Sequence, residues 1–235
     1  MRRESKRIVQ DPGLRPVVVG LLLSWPLFSL ARLAGIDPVA SGLPWLSALA
    51  AIGLVFRQSA ENIAFGPANG LTLVRLGCVL LLVVAAATGT PSAGSWSLFG
   101  IAVLALLLDA VDGRIARRFH CTSRFGARFD LETDAAFLFA VGLLLWTSGR
   151  TGCWVLVAGS LRPLFLVAGR LYAPLAAPLP PSRRRALACG LAATLLTAAL
   201  LPSLAIPAAV LPAGLAVLIL LWSFAVDSLL LLVRR

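Results

Sequence analysis

From residue 109 the sequence reads Asp109-Ala-Val-Asp112-Gly113-Arg-Ile-Ala116-Arg117, then eight further residues, then Gly126-Ala-Arg-Phe-Asp130-Leu-Glu-Thr-Asp134. Four of the seven aspartates of the chain lie in these 26 residues, between the apolar segments 101–110 and 135–146. Carboxylates at the ends of membrane-type helices are costly to keep, so they indicate a functional site.

The spacing of these four aspartates predicts that they converge. If both halves of the segment are helical, Asp109 and Asp112 share one face, which Ala116 continues. Asp130 and Asp134 are four residues apart and share a face of the next helix. Two antiparallel helices joined by a short loop can bring the two faces together as a cluster of four carboxylates. Hard oxygen ligands at this density suit Mg²⁺ or Mn²⁺, which also bind substrate phosphates.

The composition indicates a membrane protein. Hydrophobic residues make up 59% of the 235 residues and charged residues only 13%, whereas a soluble domain carries about a quarter charged residues. Several apolar runs approach the roughly 20 residues that span a bilayer. We predict membrane helices near residues 16–33, 43–57, 70–89, 96–116, 133–148, 153–172, 186–203 and 207–232. The first two are interrupted by prolines and could instead form a re-entrant or interfacial hairpin.

The net charge of +11 predicts an orientation in the membrane, not nucleic-acid binding. If the aspartates face the cytoplasm, only Arg32 and Arg150 among the arginines and lysines fall outside. This positive-inside bias predicts eight spans, with both termini and the acidic cluster on the cytoplasmic side of an inner or plasma membrane. A basic rim of this kind attracts anionic headgroups, so membrane lipids are expected partners.

Other function classes find no support in the sequence. The four cysteines show neither paired spacing nor a zinc pattern. The only histidine, His120, has no partner pattern for a catalytic triad, and neither a P-loop nor a G-x-G-x-x-G motif is present.

The aspartate-rich motif resembles the signature of the CDP-alcohol phosphotransferases (CDP-alcohol phosphatidyltransferases), membrane enzymes that form phospholipid headgroup linkages. All eight defining positions have the family's spacing. The resemblance implies that Asp109, Asp112 and Asp130 ligate two Mg²⁺ or Mn²⁺ ions. It implies that Asp134 lies near the metal and acts as general base toward the acceptor hydroxyl.

The resemblance also assigns residues to the CDP-activated lipid donor, and it implies a homodimer. From the signature itself, the donor-binding residues are Gly113, Ala116, Arg117 and Gly126. A second string, Pro67-Ala-Asn69-Gly-Leu-Thr72-Leu-Val-Arg75, resembles the family's P-N-x-L-T-x-x-R entry to its first core helix and adds Asn69, Thr72 and Arg75.

The residues of this second string also have a plainer interpretation. Asn69 is a plausible N-cap, and Arg75 could be a single arginine that extends toward the cytoplasmic end of its helix. The resemblance covers roughly residues 67–200, with six core helices from Gly70 onward. We therefore predict two regions: residues 1–60 with two extra hydrophobic segments, and residues 61–235 as the CDP-alcohol phosphotransferase membrane domain.

The acceptor is expected to contact arginines. Arg162 and Arg170 are two turns apart near one face of an apolar helix, and Arg183 begins a basic run. These positions resemble the phosphatidylglycerol-phosphate synthase branch and suit a phosphorylated acceptor such as glycerol 3-phosphate. The glutamates expected beside the first two arginines are absent, and contact with lipid phosphates is the alternative. Asp227 could pair with a basic neighbour.

The sequence thus predicts an all-α polytopic membrane bundle, with six core helices and an N-terminal hydrophobic hairpin. We expect transfer of a phosphatidyl group from a CDP-alcohol, by preference CDP-diacylglycerol, to a polar, phosphorylated alcohol acceptor, with release of CMP. The alternatives are a CDP-choline or CDP-ethanolamine phosphotransferase that acts on diacylglycerol, and a cation or anion transporter with an aspartate ion site. The lack of an inverted repeat argues against the transporter.

Overall fold

The computed structural model describes residues 14–58, 67–89, 95–118, 124–172, 174, 177 and 182–233. Within these ranges every regular element is helical, which confirms the all-α prediction for them. A short 3₁₀ helix spans Cys153–Leu156. The α-helices are α1 (Leu14–Leu33), α2 (Pro38–Gln58), α3 (Pro67–Thr88), α4 (Trp96–Arg118), α5 (Arg124–Thr147), α6 (Val157–Leu171), α7 (Arg183–Ala199) and α8 (Ile206–Val233).

Each predicted membrane segment overlaps one of these helices. By length and hydropathy, three helical stretches of the described residues are long and apolar enough to cross a bilayer: Asn69–Thr88, Cys153–Leu171 and Ile206–Val233. Three shorter apolar stretches are Val17–Leu33, Val39–Ile52 and Trp96–Val111. These helices are consistent with an integral membrane protein, while the count of eight spans stays a prediction.

The N-terminal helices continue through the prolines that were expected to interrupt them. Helix α1 runs through Pro26, and α2 begins at Pro38 and runs through Pro44. A proline at the first position of a helix loses no hydrogen bond, because the amide there has no intrahelical acceptor. That accounts for Pro38, while Pro26 and Pro44 lie inside continuous helices. The expected interruption was wrong, and α2 begins five residues before the predicted segment.

Helices α1 and α2 form an antiparallel hairpin joined by a tight turn. The indole Nε1 of Trp45 donates to Ser24 Oγ at 3.1 Å. One turn earlier on α1, a Cβ atom at Gly20 would overlap Leu49, so glycine permits this close approach. The contact with Ser24 of α1 comes from Trp45 of α2, and the contact with the earlier Gly20 comes from the later Leu49. The two helices are therefore antiparallel.

Two compact units make up the chain. The first contains α1 to α3, α4 from Gly100 and α5 up to Thr133, so the N-terminal hairpin belongs to the same unit as α3. Helix α1 contacts α3 where Leu27 covers Gly77, again at a position where a Cβ would overlap the partner side chain. The predicted boundary between residues 60 and 61 stays a prediction.

The second unit contains the start of α4, α5 from Asp134, and all later helices. In it, Gly159 of α6 lies against the backbone of Phe139 in α5, where a Cβ would overlap main-chain atoms. Helix α8 buries small residues such as Ala209, Ala213 and Ala216 on one face. Its opposite face exposes large apolar side chains: Leu211, Leu215, Leu218 and Trp222. An apolar stripe of this kind suits a lipid environment.

Arg150 is buried in the second unit and donates hydrogen bonds at the C-terminal end of another helix, α7. Its Nη1 donates to the carbonyl oxygens of Ala199 and Leu201, both at 3.1 Å. Ala199 is the last residue of α7 and Leu201 follows it, where main-chain acceptors have no intrahelical donor. A cation at the C-terminal end of a helix is also favoured by the helix dipole.

Candidate active site

Two helices carry the aspartates of the signature, as predicted. Asp109 and Asp112 lie in the last three turns of α4, and Asp130 and Asp134 lie in the first three turns of α5. Helix α5 begins at Arg124, well before the predicted membrane segment at residue 133, so both of its aspartates are inside a continuous helix. The four-residue spacing of Asp130 and Asp134 therefore places them on one face.

Three of the four carboxylates meet. One carboxylate oxygen from each of Asp109, Asp130 and Asp134 lies within 4.8 Å of the others, and all three residues are half-buried. Partly exposed carboxylates at this separation can close on a cation, and their hard oxygens suit Mg²⁺ or Mn²⁺. The side chain of Asp112 lies outside the described residues, so its place in the cluster stays a prediction.

A buried arginine holds two of these carboxylates. Arg75 Nη1 donates to Asp109 Oδ1 at 2.7 Å and to Asp130 Oδ1 at 3.1 Å. Arg75 is only 2% exposed. The interpretation of Arg75 as an arginine that extends to the cytoplasmic surface is therefore wrong. Instead, this guanidinium connects α3 to α4 and α5.

The other two residues of the second string are also buried on α3. Asn69 and Thr72 precede Arg75 by two turns and one turn, and both are almost inaccessible. Asn69 is the third residue of α3 and not its N-cap, because the helix already begins at Pro67. Proline suits the first helical position, because its missing amide hydrogen would have no intrahelical acceptor there, and this favours the start at Pro67.

The remaining signature residues are placed by their helices. Gly113, Ala116 and Arg117 lie in the helical backbone of α4, but their side-chain surroundings lie outside the described residues. Gly126 lies in the first turn of α5 and is half-exposed. Their roles toward the CDP donor stay predictions.

The predicted acceptor residues lie on two helices of the second unit. Arg162 is half-buried in the middle of α6, and Arg170 is exposed in its last turn. Arg183 is exposed at the first position of α7. The role of all three toward an acceptor stays a prediction.

A second charged network, centred on Asp227 of α8, links α7 and α8. Arg184 Nη2 forms an ion pair with Asp227 Oδ1, and Arg185 Nε lies 3.8 Å from Asp227 Oδ2. Arg184 Nη1 also donates to the carbonyl oxygen of Ser223 at 3.0 Å and to its hydroxyl at 3.2 Å. The guanidinium lies 5.4 Å from the ring centroid of Trp222. The prediction that Asp227 pairs with a basic neighbour is confirmed.

Comparison with known proteins agrees with the motif. The family model described as CDP-alcohol phosphatidyltransferase matches residues 65–227, which is more than two thirds of the chain and includes all four aspartates of the signature. No curated protein and no solved structure matches the chain. On the family match, this chain belongs to the CDP-alcohol phosphatidyltransferase family.

Proposed function

We propose that this protein transfers a phosphatidyl group from CDP-diacylglycerol to the hydroxyl group of a polar, phosphorylated acceptor. Membership of the family supports the coarser reaction, phosphatidyl transfer from a CDP-alcohol to an alcohol, and favours an enzyme over a transporter. The observation that carries the proposal is the meeting of Asp109, Asp130 and Asp134 within 4.8 Å, inside the matched residues.

Asp109, Asp112 and Asp130 would hold two divalent ions, Mg²⁺ or Mn²⁺, with Asp134 beside them. When bound, such ions neutralise the donor diphosphate and stabilise the charge that develops on departing CMP. The carboxylates supply hard oxygen ligands, and their partial exposure leaves room for donor phosphate oxygens to complete the coordination.

Asp134 would act on the acceptor. Its carboxylate accepts the proton of the acceptor hydroxyl while that oxygen attacks the phosphorus atom bonded to the diacylglycerol oxygen. The bond between this phosphorus and the bridging diphosphate oxygen breaks, and CMP leaves with the electron pair. The products are CMP, the new phosphodiester and a proton on Asp134.

The other signature residues would bind the donor. Gly113 has no side chain and Ala116 has only a methyl group, which would let a nucleotide approach the helix. Arg117 is suited to pair with a donor phosphate, because a guanidinium can donate two parallel hydrogen bonds. The set implied by the resemblance also includes Asn69, Thr72, Arg75 and Gly126.

For the acceptor, we favour the phosphatidylglycerol-phosphate synthase-like branch, with Arg162, Arg170 and Arg183 as contacts to the acceptor phosphate. A guanidinium can donate two parallel hydrogen bonds to a phosphate group, which suits these arginines to a phosphorylated acceptor. Glycerol 3-phosphate is the simplest acceptor of this chemistry. The runner-up is transfer from CDP-choline or CDP-ethanolamine to diacylglycerol.

The test is release of CMP by the purified full chain in detergent. We expect CMP from CDP-diacylglycerol only when Mg²⁺ or Mn²⁺ and an acceptor are present, with glycerol 3-phosphate the best of a panel that includes glycerol, serine, inositol and inositol phosphate. Release from CDP-choline in the presence of diacylglycerol would favour the runner-up. Absence of CMP release from every donor would overturn the proposed function.

The orientation of the protein can be tested with a native cysteine. Cys153 is exposed, and the positive-inside bias predicts that it faces outward, with the aspartates and both termini in the cytoplasm. In a chain whose other cysteines are replaced by alanine, Cys153 should react with an impermeant maleimide in intact cells. A cysteine introduced by Ser182→Cys should react only after lysis, and the reverse pattern would overturn this orientation.

A further inference from the structure

Arg75 has contacts that donor binding does not explain. One nitrogen, Nη1, lies within hydrogen-bond distance of an oxygen of Asp109 and an oxygen of Asp130. These two carboxylates come from different helices, and both belong to the candidate metal cluster. The arginine side chain is 3% exposed, so its guanidinium is fixed within the protein.

The two carboxylates can serve Arg75 and a cation at the same time. Both of these contacts use an Oδ1 atom, and each carboxylate has a second oxygen. The two aspartate side chains keep 35% and 42% of their surface exposed, in contrast to the buried arginine. Arg75 therefore holds Oδ1 of each carboxylate, while part of the surface of each aspartate side chain remains accessible.

We infer that Arg75 is a positioning residue for the metal ligands, not a ligand of the donor phosphates. The inference rests on the proposed function, because it assumes that the aspartate cluster holds the divalent ions. Residues that hydrogen-bond to metal ligands orient them, and losing such a partner typically weakens metal binding about 10- to 100-fold. By contacting both carboxylates through one nitrogen, Arg75 sets the separation of Asp109 and Asp130.

The sign of the effect distinguishes positioning from simple electrostatics. Removing a positive charge next to two carboxylates makes the site more negative, which by charge alone would tighten cation binding. If Arg75 orients the carboxylates, its removal instead lets two like charges move apart, and cation binding becomes weaker. The two effects are opposed, so the direction of the change is informative.

The experiment is a Mn²⁺ titration of the purified full chain, followed by electron paramagnetic resonance of the free ion. We expect Arg75→Met to weaken Mn²⁺ binding about 10- to 100-fold, and Arg75→Lys to weaken it less, because a lysine keeps the charge but can align fewer hydrogen bonds. At saturating Mn²⁺, CMP release by Arg75→Met should recover, and the KM for CDP-diacylglycerol should match that of the native chain. The matched control is Arg128→Met, which removes an exposed positive charge two residues from Asp130 and should not weaken Mn²⁺ binding.

Unchanged or tighter Mn²⁺ binding by Arg75→Met would overturn the inference, and so would a raised donor KM that excess Mn²⁺ does not restore. If Arg75→Met does not fold, the Mn²⁺ affinity and the donor KM of Arg75→Lys test the inference instead. Failure of the native chain to bind Mn²⁺ or to release CMP would contradict the proposed function instead. If the native chain binds Mn²⁺ and releases CMP, and Arg75→Met binds Mn²⁺ with the same affinity, only the proposed role of Arg75 is contradicted.

Discussion

Two arginine–aspartate networks in the part of the chain that the structure describes have opposite patterns of exposure. In the first unit a buried arginine, Arg75, faces two aspartates, and the exposed fractions of the side chains are 3% for the arginine against 35% and 42%. In the second unit a buried aspartate, Asp227, faces two arginines, and the fractions are 8% for the aspartate against 25% and 29%. Both networks join residues from different helices.

This difference separates a site that can bind a cation from one that stabilises a helix pair. Around Arg75, carboxylates outnumber the arginine and remain accessible, so negative charge is left for an incoming ion. Around Asp227, the single carboxylate is covered by arginines, and the arginine nearest to it is also bonded to Ser223. A buried carboxylate requires such partners, since its desolvation is costly without them.

The comparison predicts its largest effect for the aspartates of the signature. Asp109→Asn, Asp112→Asn and Asp130→Asn should each lower the rate of CMP release more than about a hundredfold, because each removes a proposed metal ligand and with it a main electrostatic contribution. The matched control is Glu132→Gln, which removes an exposed carboxylate from another face of α5 and should leave the rate near native. Near-native rates in all three aspartate variants would contradict the interpretation of these aspartates as a cation site.

A second prediction separates the proposed role of Asp134 from that of the other three aspartates. Asp134→Asn should lower turnover by about a hundredfold or more, as expected for loss of a general base. Binding of Mn²⁺ and of CDP-diacylglycerol should remain close to native, since the proposed role of Asp134 is toward the acceptor. Calorimetric titration checks both affinities, and loss of donor binding as severe as in Asp112→Asn would make Asp134 chiefly a ligand.

A third prediction concerns Arg162 in the second unit, for which we propose a contact with the acceptor phosphate. Arg162→Ala should raise the acceptor KM about ten- to hundredfold, which corresponds to a lost charge-assisted contact of roughly 1.5–3 kcal/mol. Arg162→Lys should also raise it, because a point charge does not reproduce the planar fork of a guanidinium. The donor KM should stay unchanged. If Arg162→Ala leaves the acceptor KM unchanged but lowers the yield of folded protein, Arg162 has a structural role, as Arg184 does.

The smallest effect on catalysis is expected at Asp227. Asp227→Asn should lower the free energy of unfolding by about 1–3 kcal/mol, since it leaves the two arginines without their buried anion. The rate of CMP release per folded molecule should stay near native. Thermal unfolding in detergent measures the first effect, and an apolar double variant, Arg184→Met with Asp227→Leu, should regain stability. A loss of turnover without a loss of stability would show that this network also serves catalysis.

Local patterns in the sequence were sufficient to predict the helices and the shared faces of the aspartates. The segment predicted at 207–232 is helix α8 (Ile206–Val233), because a long apolar run is a strong signal. Asp130 and Asp134 lie together because four residues make about one turn of helix. Such features depend on residues close in sequence.

The contacts of the buried arginines could not be predicted in this way. Arg75 bonds to residues 34 and 55 positions away, and nothing in the composition of α3 indicates which partners it meets. Arg150 bonds to main-chain carbonyls, which carry no signature in the side-chain sequence. Asp227 was easier to interpret, because an isolated aspartate in an apolar helix requires a cation and the run of three arginines at 183–185 supplies one.

The close contact of Leu27 with Gly77 gives the first helices a role that the extent of the family match would not suggest. The match begins at residue 65, so α1 and α2 could be mistaken for a dispensable addition. Yet Leu27 rests on α3 two residues after Arg75, at a point where glycine leaves no side chain of its own to fill the space. A chain shortened to the matched residues would lose this contact on α3, the helix that carries Arg75. Residues before the matched region therefore pack against a helix of the candidate active site.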